Sequence, residues 1–337
     1  MTPVPNRFPP DGPDGPLEPP PEPLRPLTLK ELFALDIKPP QMLLEPILSE
    51  KGLGMLYAPR GVGKTLLALS ISYAVATGGE LLGWKARGPR TVLHVDGEMP
   101  IAMLRDRMAG IVGGAGMDRL KAAGESFRLL AADAFEGGLP NLNEEAAQRQ
   151  IEAMLAGVDL LTLDNHSTLA AALNDNDADS WSPMQRWLLR LRRAGHSGLL
   201  VHHAGKAGLQ RGTSRREDVL DTVIALKRPA DYLASQGARF EVHFDKLRGV
   251  FGAAATPFEA RLGPGPAGGL VWSRSAIGGE AAEAAEKAQE KEDRAEEIRW
   301  LAVSGLTDRE IAERLGLSRS VVQRLRTAAP YAGQTDA

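Results

Sequence analysis

The sequence predicts an α/β protein, a core of mainly parallel sheet with helices on its faces, followed by a small all-α module at the C-terminus. Three observations carry this. Four short apolar runs, 54–58, 91–95, 160–163 and 198–202, have the length and composition of buried parallel strands. Stretches with helical spacing, 101–111, 143–155 and 182–194, fall between them, which is the strand–helix alternation of a parallel sheet. Near the C-terminus, two short amphipathic segments flank Gly316-Leu317-Ser318.

Residues 1–27 are dense in Pro and Gly, as in Phe8-Pro9-Pro10-Asp11-Gly12 and Glu18-Pro19-Pro20-Pro21, and cannot bury enough apolar surface to offset their ordering entropy. They are expected to form a disordered arm. The core domain is placed at 28–274. Its first strand ends at Pro59, and a helix follows in which Thr65, Leu66, Leu69, Ser72, Tyr73 and Ala76 recur near a period of 3.6 before Gly78-Gly79 stops it. The segments 221–226 and 239–246 alternate in the strand manner, and 258–262 with 269–272 read as a hairpin, so together they should extend the sheet at one edge. Residues 275–296, rich in Ala, Glu and Lys, have the composition of a charged helical linker to a module at 297–330.

With 337 residues, 43% hydrophobic and 25% charged, one sizeable core with appendages is expected. There is no Cys, which excludes disulfides and thiolate metal sites. No apolar run reaches the roughly 18 residues of a membrane span, and no signal-peptide core opens the chain, so a cytoplasmic location is expected. A net charge of -3 means that nucleic acid would be held through local basic patches or a channel, not by the field of the whole molecule.

The most informative motif is Ala58-Pro59-Arg60-Gly61-Val62-Gly63-Lys64-Thr65. Small residues let successive backbone N–H groups turn towards phosphate, Lys64 can reach the β and γ oxygens, and the Thr65 hydroxyl suits Mg²⁺. The helix that starts near Lys64 adds its positive N-terminal end. The whole run is the candidate nucleotide-contacting segment, with ATP and Mg²⁺ as cofactors. It departs from the usual pattern at Ala58, where a Gly is customary.

A carboxylate that holds the Mg²⁺ shell belongs at the end of a buried strand beside the loop strand, and Asp164 fits, with Thr65 as the second metal-side residue. The turn Asp96-Gly97-Glu98 offers Glu98 as the base that orients the attacking water, with Asp96 less clearly placed. Asn165, His166 and Ser167 are sensors or plain loop residues. His202 and His203 close the fourth strand on opposite faces, so they cannot chelate one ion, and one of them can sense the γ-phosphate. His94, His196 and His243 show no partner pattern. Lys206 and Arg211-Gly212-Thr213-Ser214-Arg215-Arg216 form a basic loop suited to DNA phosphates or to a neighbouring nucleotide site. Lys246 and Arg248, two apart at a strand end, suit a pair of cations reaching towards a γ-phosphate.

These residues together make the chain resemble the RecA-like P-loop ATPases of the hexameric plasmid replication helicase (RepA-like) type, and more distantly DnaB-like helicases, over about residues 40–262. The double His followed by the Arg-Gly-Thr-Ser loop narrows the resemblance beyond nucleotide binding. It implies Lys64 and Thr65 on phosphates and Mg²⁺, Glu98 as catalytic base, Asp164 as the Walker B acid, and His203 or His202 as sensor. Arg211, or Lys246 with Arg248, would be cations acting in trans within a ring of six around single-stranded DNA.

In the C-terminal module, Thr307-Asp308-Arg309-Glu310 is a capping box that opens a helix to Leu315, and Ser318 caps a second through Leu325. This reads as a helix-turn-helix that would present Arg319, Ser320, Gln323 and Arg324 to duplex DNA. Two functions remain open on the sequence. One is an oligomeric DNA-dependent motor; the other is an ATP-switched DNA-binding regulator, or a DNA repair or loading ATPase without unwinding activity.

Overall fold

The computed structural model describes residues 25–115, 121, 123–170, 181–204, 218–266, 268–278, 294, 295, 297–302, 304 and 306–327. The basic loop with Lys206 and Arg211, most of the Pro-rich arm and most of the charged linker lie outside the described residues. The chain divides into two units, 1–39 and 40–337. In the first, helix α1 (Leu29–Ala34) opens on a capping box that the sequence reading overlooked: Thr28 Oγ1 accepts from Glu31 N at 3.2 Å, and the Glu31 carboxylate accepts from Thr28 N at 2.8 Å.

The second unit begins with the short strands β1 (Met42–Leu44) and β2 (Leu48–Ser49), then β3 (Leu53–Ala58) and helix α2 (Lys64–Thr77). After the small pair β4 (Glu80–Leu81) and β5 (Trp84–Lys85) come β6 (Val92–Asp96), α3 (Ile101–Ala115), β7 (Phe127–Ala131), α4 (Glu145–Glu152) and β8 (Leu160–Asp164). Helices α5 (His166–Leu169) and α6 (Ser182–Ala194) lead to β9 (Ser197–His203), β10 (Thr222–Lys227), β11 (Arg239–Leu247), β12 (Phe258–Pro264) and β13 (Leu270–Ser275). The C-terminal helices are α7 (Asp308–Leu315) and α8 (Arg319–Thr327).

One nine-stranded sheet has the order β13-β12-β11-β10-β3-β9-β8-β6-β7. The strands from β10 to β7 are parallel, while β11, β12 and β13 add antiparallel at one edge as the sequence predicts. Alternation sorts β3 between two cores: Leu56 and Ala58 face the layer of α2 and α3, whereas Leu53, Met55 and Tyr57 face the layer of α4 and α6. Each such buried Leu contributes roughly 2 kcal/mol of transfer free energy.

Three expectations change. The Asp164 strand is not beside the loop strand, because β9 lies between them. Helix α2 is buried on nearly every side, from Leu67 to Ala76, since the sheet lies below it and the β1–β2 and β4–β5 segments close over it. Strand β7 was not foreseen: only Ala131 of its residues is buried, as befits an edge strand. Helix α3 packs so closely on β13 that a Cβ on Gly114 would stand 2.0 Å from the Leu270 carbonyl oxygen, so this helix position requires glycine.

The C-terminal helices have a small core of their own, in which Ile298 and Leu301 meet Ile311, Ala312, Val322 and Leu325. The Thr307 capping box is present, with Thr307 N donating to Glu310 Oε2 at 2.8 Å.

Candidate nucleotide-binding and catalytic site

The loop 58–65 joins the end of β3 to the start of α2, and its residues from Arg60 to Thr65 line a cavity of about 390 Å³. Ala58 itself is the last residue of β3, paired in parallel with His203, so it has extended backbone and no need of glycine's freedom. Gly63 does need it: its φ is 124°, and a Cβ there would meet the Phe240 ring at 3.1 Å. The antiparallel strand β11 thus props the loop from beneath, at the point where α2 begins.

Lys64 Nζ donates to the carbonyls of Ala58 and Pro59, each at 2.9 Å. Burial lowers its pKa to about 8, against the pull of Asp164 and Glu98, so it carries its charge at neutral pH. Asp164 ends β8 beside the Thr65 hydroxyl, and its Oδ2 is buried without a hydrogen-bond partner. Burial, and then the neighbouring Asp96 carboxylate, push Asp164 up to about 7. A buried carboxylate oxygen that lacks a partner, next to a hydroxyl at the head of the loop helix, is a donor set that fits Mg²⁺.

Asp96 and Glu98 follow β6, and the Asp96 Oδ1 accepts from the amides of Glu98 at 2.9 Å and Met99 at 2.7 Å. This closes the turn and aims Glu98 into the cavity. Glu98 Oε2 accepts from the Asn165 side chain and lies 3.7 Å from His203 Nε2. Asn165 also caps α5, where its side-chain oxygen accepts from Thr168 N at 3.2 Å. His203 lines the cavity, and burial, then Lys64, lower its pKa against the pull of Glu98. His202 points to the other face, its ring edge-on to His166 at 5.5 Å. The opposite-face expectation holds, and the histidine on the cavity side is His203. His166 packs on His202 and Trp181, and Ser167 does not line the cavity.

Lys246 and Arg248 are not at this chain's own cavity. Arg248 Nη1 bonds Asp221 Oδ1 at 3.0 Å, and the same carboxylate accepts from Leu53 N at 3.0 Å, at the start of β3. The loop begins at the other end of that six-residue strand, roughly 17 Å away at about 3.3 Å per residue. The pair does not reach its own loop, because β11 runs antiparallel to β10 and carries its C-terminal end back past the origin of β3.

Two cations escaped the sequence reading. Arg107, on α3, lines the cavity and acts electrostatically on Asp96. Arg228, just after β10, donates to the Gly61 carbonyl at 2.7 Å with its guanidinium 3.9 Å over the Tyr232 ring. A signal for Arg107 exists in the sequence, since it sits nine positions after Glu98 on a helix that starts beside it; Arg228 has none. His94 is a core residue, wholly buried, with Nδ1 at 3.1 Å from Ser72 Oγ and its pKa lowered to about 3 by burial. His196 bonds the Val158 carbonyl oxygen and His243 the Glu241 carboxylate, each at 2.8 Å.

The family model described as AAA domain matches residues 18–208, more than half of the chain. The chain belongs to the AAA domain family. Within this AAA domain the match takes in the loop, Glu98, Asp164 and His203, and it stops short of Lys246, Arg248 and the C-terminal helices. The mostly parallel sheet with flanking helices has the fold of a RecA-like P-loop ATPase core, with one strand, β9, between the loop strand and the Asp164 strand. Among solved structures, a KaiC-like protein from the hyperthermophilic archaeon Pyrococcus horikoshii OT3 is similar at 18% identity and a TM-score of 0.49, covering 68% of this chain and 93% of that one. No curated protein matches the chain. Among the described residues, no helix is long and apolar enough to cross a membrane.

Proposed function

We propose that this AAA domain hydrolyses ATP as a DNA-associated motor of the RepA-like plasmid replication helicase type, assembled as a ring of six. The observation that carries the ring is the separation of Arg248 from its own loop along β3. A cation pair at the opposite edge of the sheet serves a nucleotide only across a subunit boundary.

ATP with Mg²⁺ supplies the γ-phosphoryl group and a metal that neutralises its developing charge. Residues 58–65 cradle the phosphates, with the Lys64 ammonium aimed at them; Thr65 and Asp164 hold the metal side. Glu98, steadied by Asn165, takes the proton of the attacking water. His203, within 3.7 Å of Glu98, senses the γ-phosphate, and Arg107 adds positive charge from the same subunit. Arg211, or Lys246 with Arg248, acts on the neighbouring subunit's site. Arg319, Ser320, Gln323 and Arg324 are exposed on α8, which supports a duplex-facing helix, while single-stranded DNA runs through the ring channel.

The test is ATP turnover with and without single-stranded DNA, together with particle mass by light scattering. Several-fold stimulation by DNA and a nucleotide-dependent increase in mass to six chains are expected. Slow turnover indifferent to DNA in a monomer would sink the motor and favour an ATP-switched DNA-binding regulator.

A further inference from the structure

Behind the nucleotide cavity, β6 and β8 bring three buried side chains together: His94, Asp96 and Asp164, at 0%, 1% and 3% exposure. One ligand atom from each lies within 4.8 Å of the other two. We propose that these three residues form a binding site for a divalent transition-metal ion of the Mn²⁺ or Zn²⁺ class, filled without nucleotide. The site shares Asp164 with the Mg²⁺ position of the ATPase reading, and is distinguished from it by His94 and by filling without nucleotide.

His94 Nδ1 is engaged by the Ser72 hydroxyl, which is itself 3.0 Å from Thr162 Oγ1, and the Phe127 ring stacks on the imidazole at 6.2 Å and 20°. That buried hydroxyl pair is the kind of outer support that fixes a ligating histidine's tautomer and ring plane. Nε2 is then the nitrogen left to the cluster, and it is buried with no hydrogen-bond partner. Asp164 Oδ2 is buried without a partner as well. Asp96 spends Oδ1 on the amides of Glu98 and Met99, so Oδ2 is the oxygen it can offer.

A buried imidazole and two buried carboxylates share one desolvated space, and a cation between them would satisfy polar atoms otherwise without partners. Ligands at roughly 2.1 Å from a metal are about 3 to 4.2 Å apart, so small side-chain shifts would bring these three atoms onto one ion, with its remaining positions open to water. The nitrogen ligand sets the preference: Mg²⁺ favours all-oxygen surroundings, whereas imidazole with carboxylates suits Mn²⁺ or Zn²⁺.

Mn²⁺ is the probe, titrated into the nucleotide-free full chain with excess Mg²⁺ and followed by electron paramagnetic resonance. One Mn²⁺ bound per chain is expected, with nitrogen modulation in the spin-echo signal from the imidazole. His94→Phe, which keeps an aromatic ring against Phe127, should weaken Mn²⁺ about tenfold or more. Lys64→Ala should keep Mn²⁺ while losing nucleotide, so the two readings fail separately. Absence of Mn²⁺ binding without nucleotide overturns the site, as does unchanged affinity in folded His94→Phe. Should that variant not fold, the wild-type spectrum decides: bound Mn²⁺ without nitrogen modulation also overturns it.

Discussion

Lys64 is held by two carbonyls of its own loop and keeps its charge in a partly desolvated place. An ammonium in such surroundings interacts with phosphate far more strongly than one in water. Lys64→Ala should therefore abolish nucleotide binding or turnover while circular dichroism reports an intact fold; wild-type hydrolysis in the folded variant would end the loop assignment. Glu98 makes a different prediction. Its carboxylate leaves the phosphate cradle untouched, so Glu98→Gln should bind ATP normally and hydrolyse it about 10² slower or worse. Equal rates in a single-turnover assay would reduce Glu98 to a turn residue. Glu98 was legible in the sequence because a carboxylate after a buried strand is a local pattern. Its partner Asn165 was left open, because 67 positions separate the two and only the β6–β8 pairing joins them.

Among the elements, the inserted strand β9 matters most. It moves Asp164 one strand away from the loop, yet it also delivers His203 to the cavity rim beside Ala58. Buried runs such as 160–163 and 198–202 are recognisable one at a time, but their composition is too alike to reveal their order across the sheet. Strand β7 escaped recognition for a related reason: an edge strand with one buried residue lacks the apolar signal. The C-terminal helices were read correctly because capping and helical spacing are local, and Ile311, Ala312, Val322 and Leu325 are buried as their spacing demands. Their self-contained core predicts separability. Deleting residues from Gly279 onward should leave ATP binding intact and reduce duplex DNA affinity in a gel-shift titration at fixed salt. Unchanged affinity would assign these helices to protein contacts.

For the whole molecule, the placement of Lys246 and Arg248 is decisive. If they serve a neighbour, Arg248→Ala should bind ATP almost as well as the wild type and hydrolyse it poorly, since its own loop is complete. Mixing Arg248→Ala with Lys64→Ala should restore part of the turnover, because a mixed ring contains interfaces with an intact loop on one side and an intact cation on the other. If subunits exchange and no activity returns at any ratio, the trans assignment is lost, and Arg60, Lys64 and Arg107 of the same subunit remain as cations lining the site.

The sequence by itself determined the α/β class, the loop that meets phosphate, Glu98 and Asp164 as candidate acids, and the capped helix pair, since each rests on residues adjacent along the chain or one helical turn apart. Tertiary structure alone decided which histidine faces the cavity, that Arg228 reaches the loop while Arg248 lies at the far end of the loop strand, and that His94 joins two acids behind the cavity. The physical reason is strand order and direction. A parallel sheet collects the ends of strands distant in sequence at one edge, and an antiparallel addition sends its end back to the other, so function here follows from pairings that no local pattern encodes.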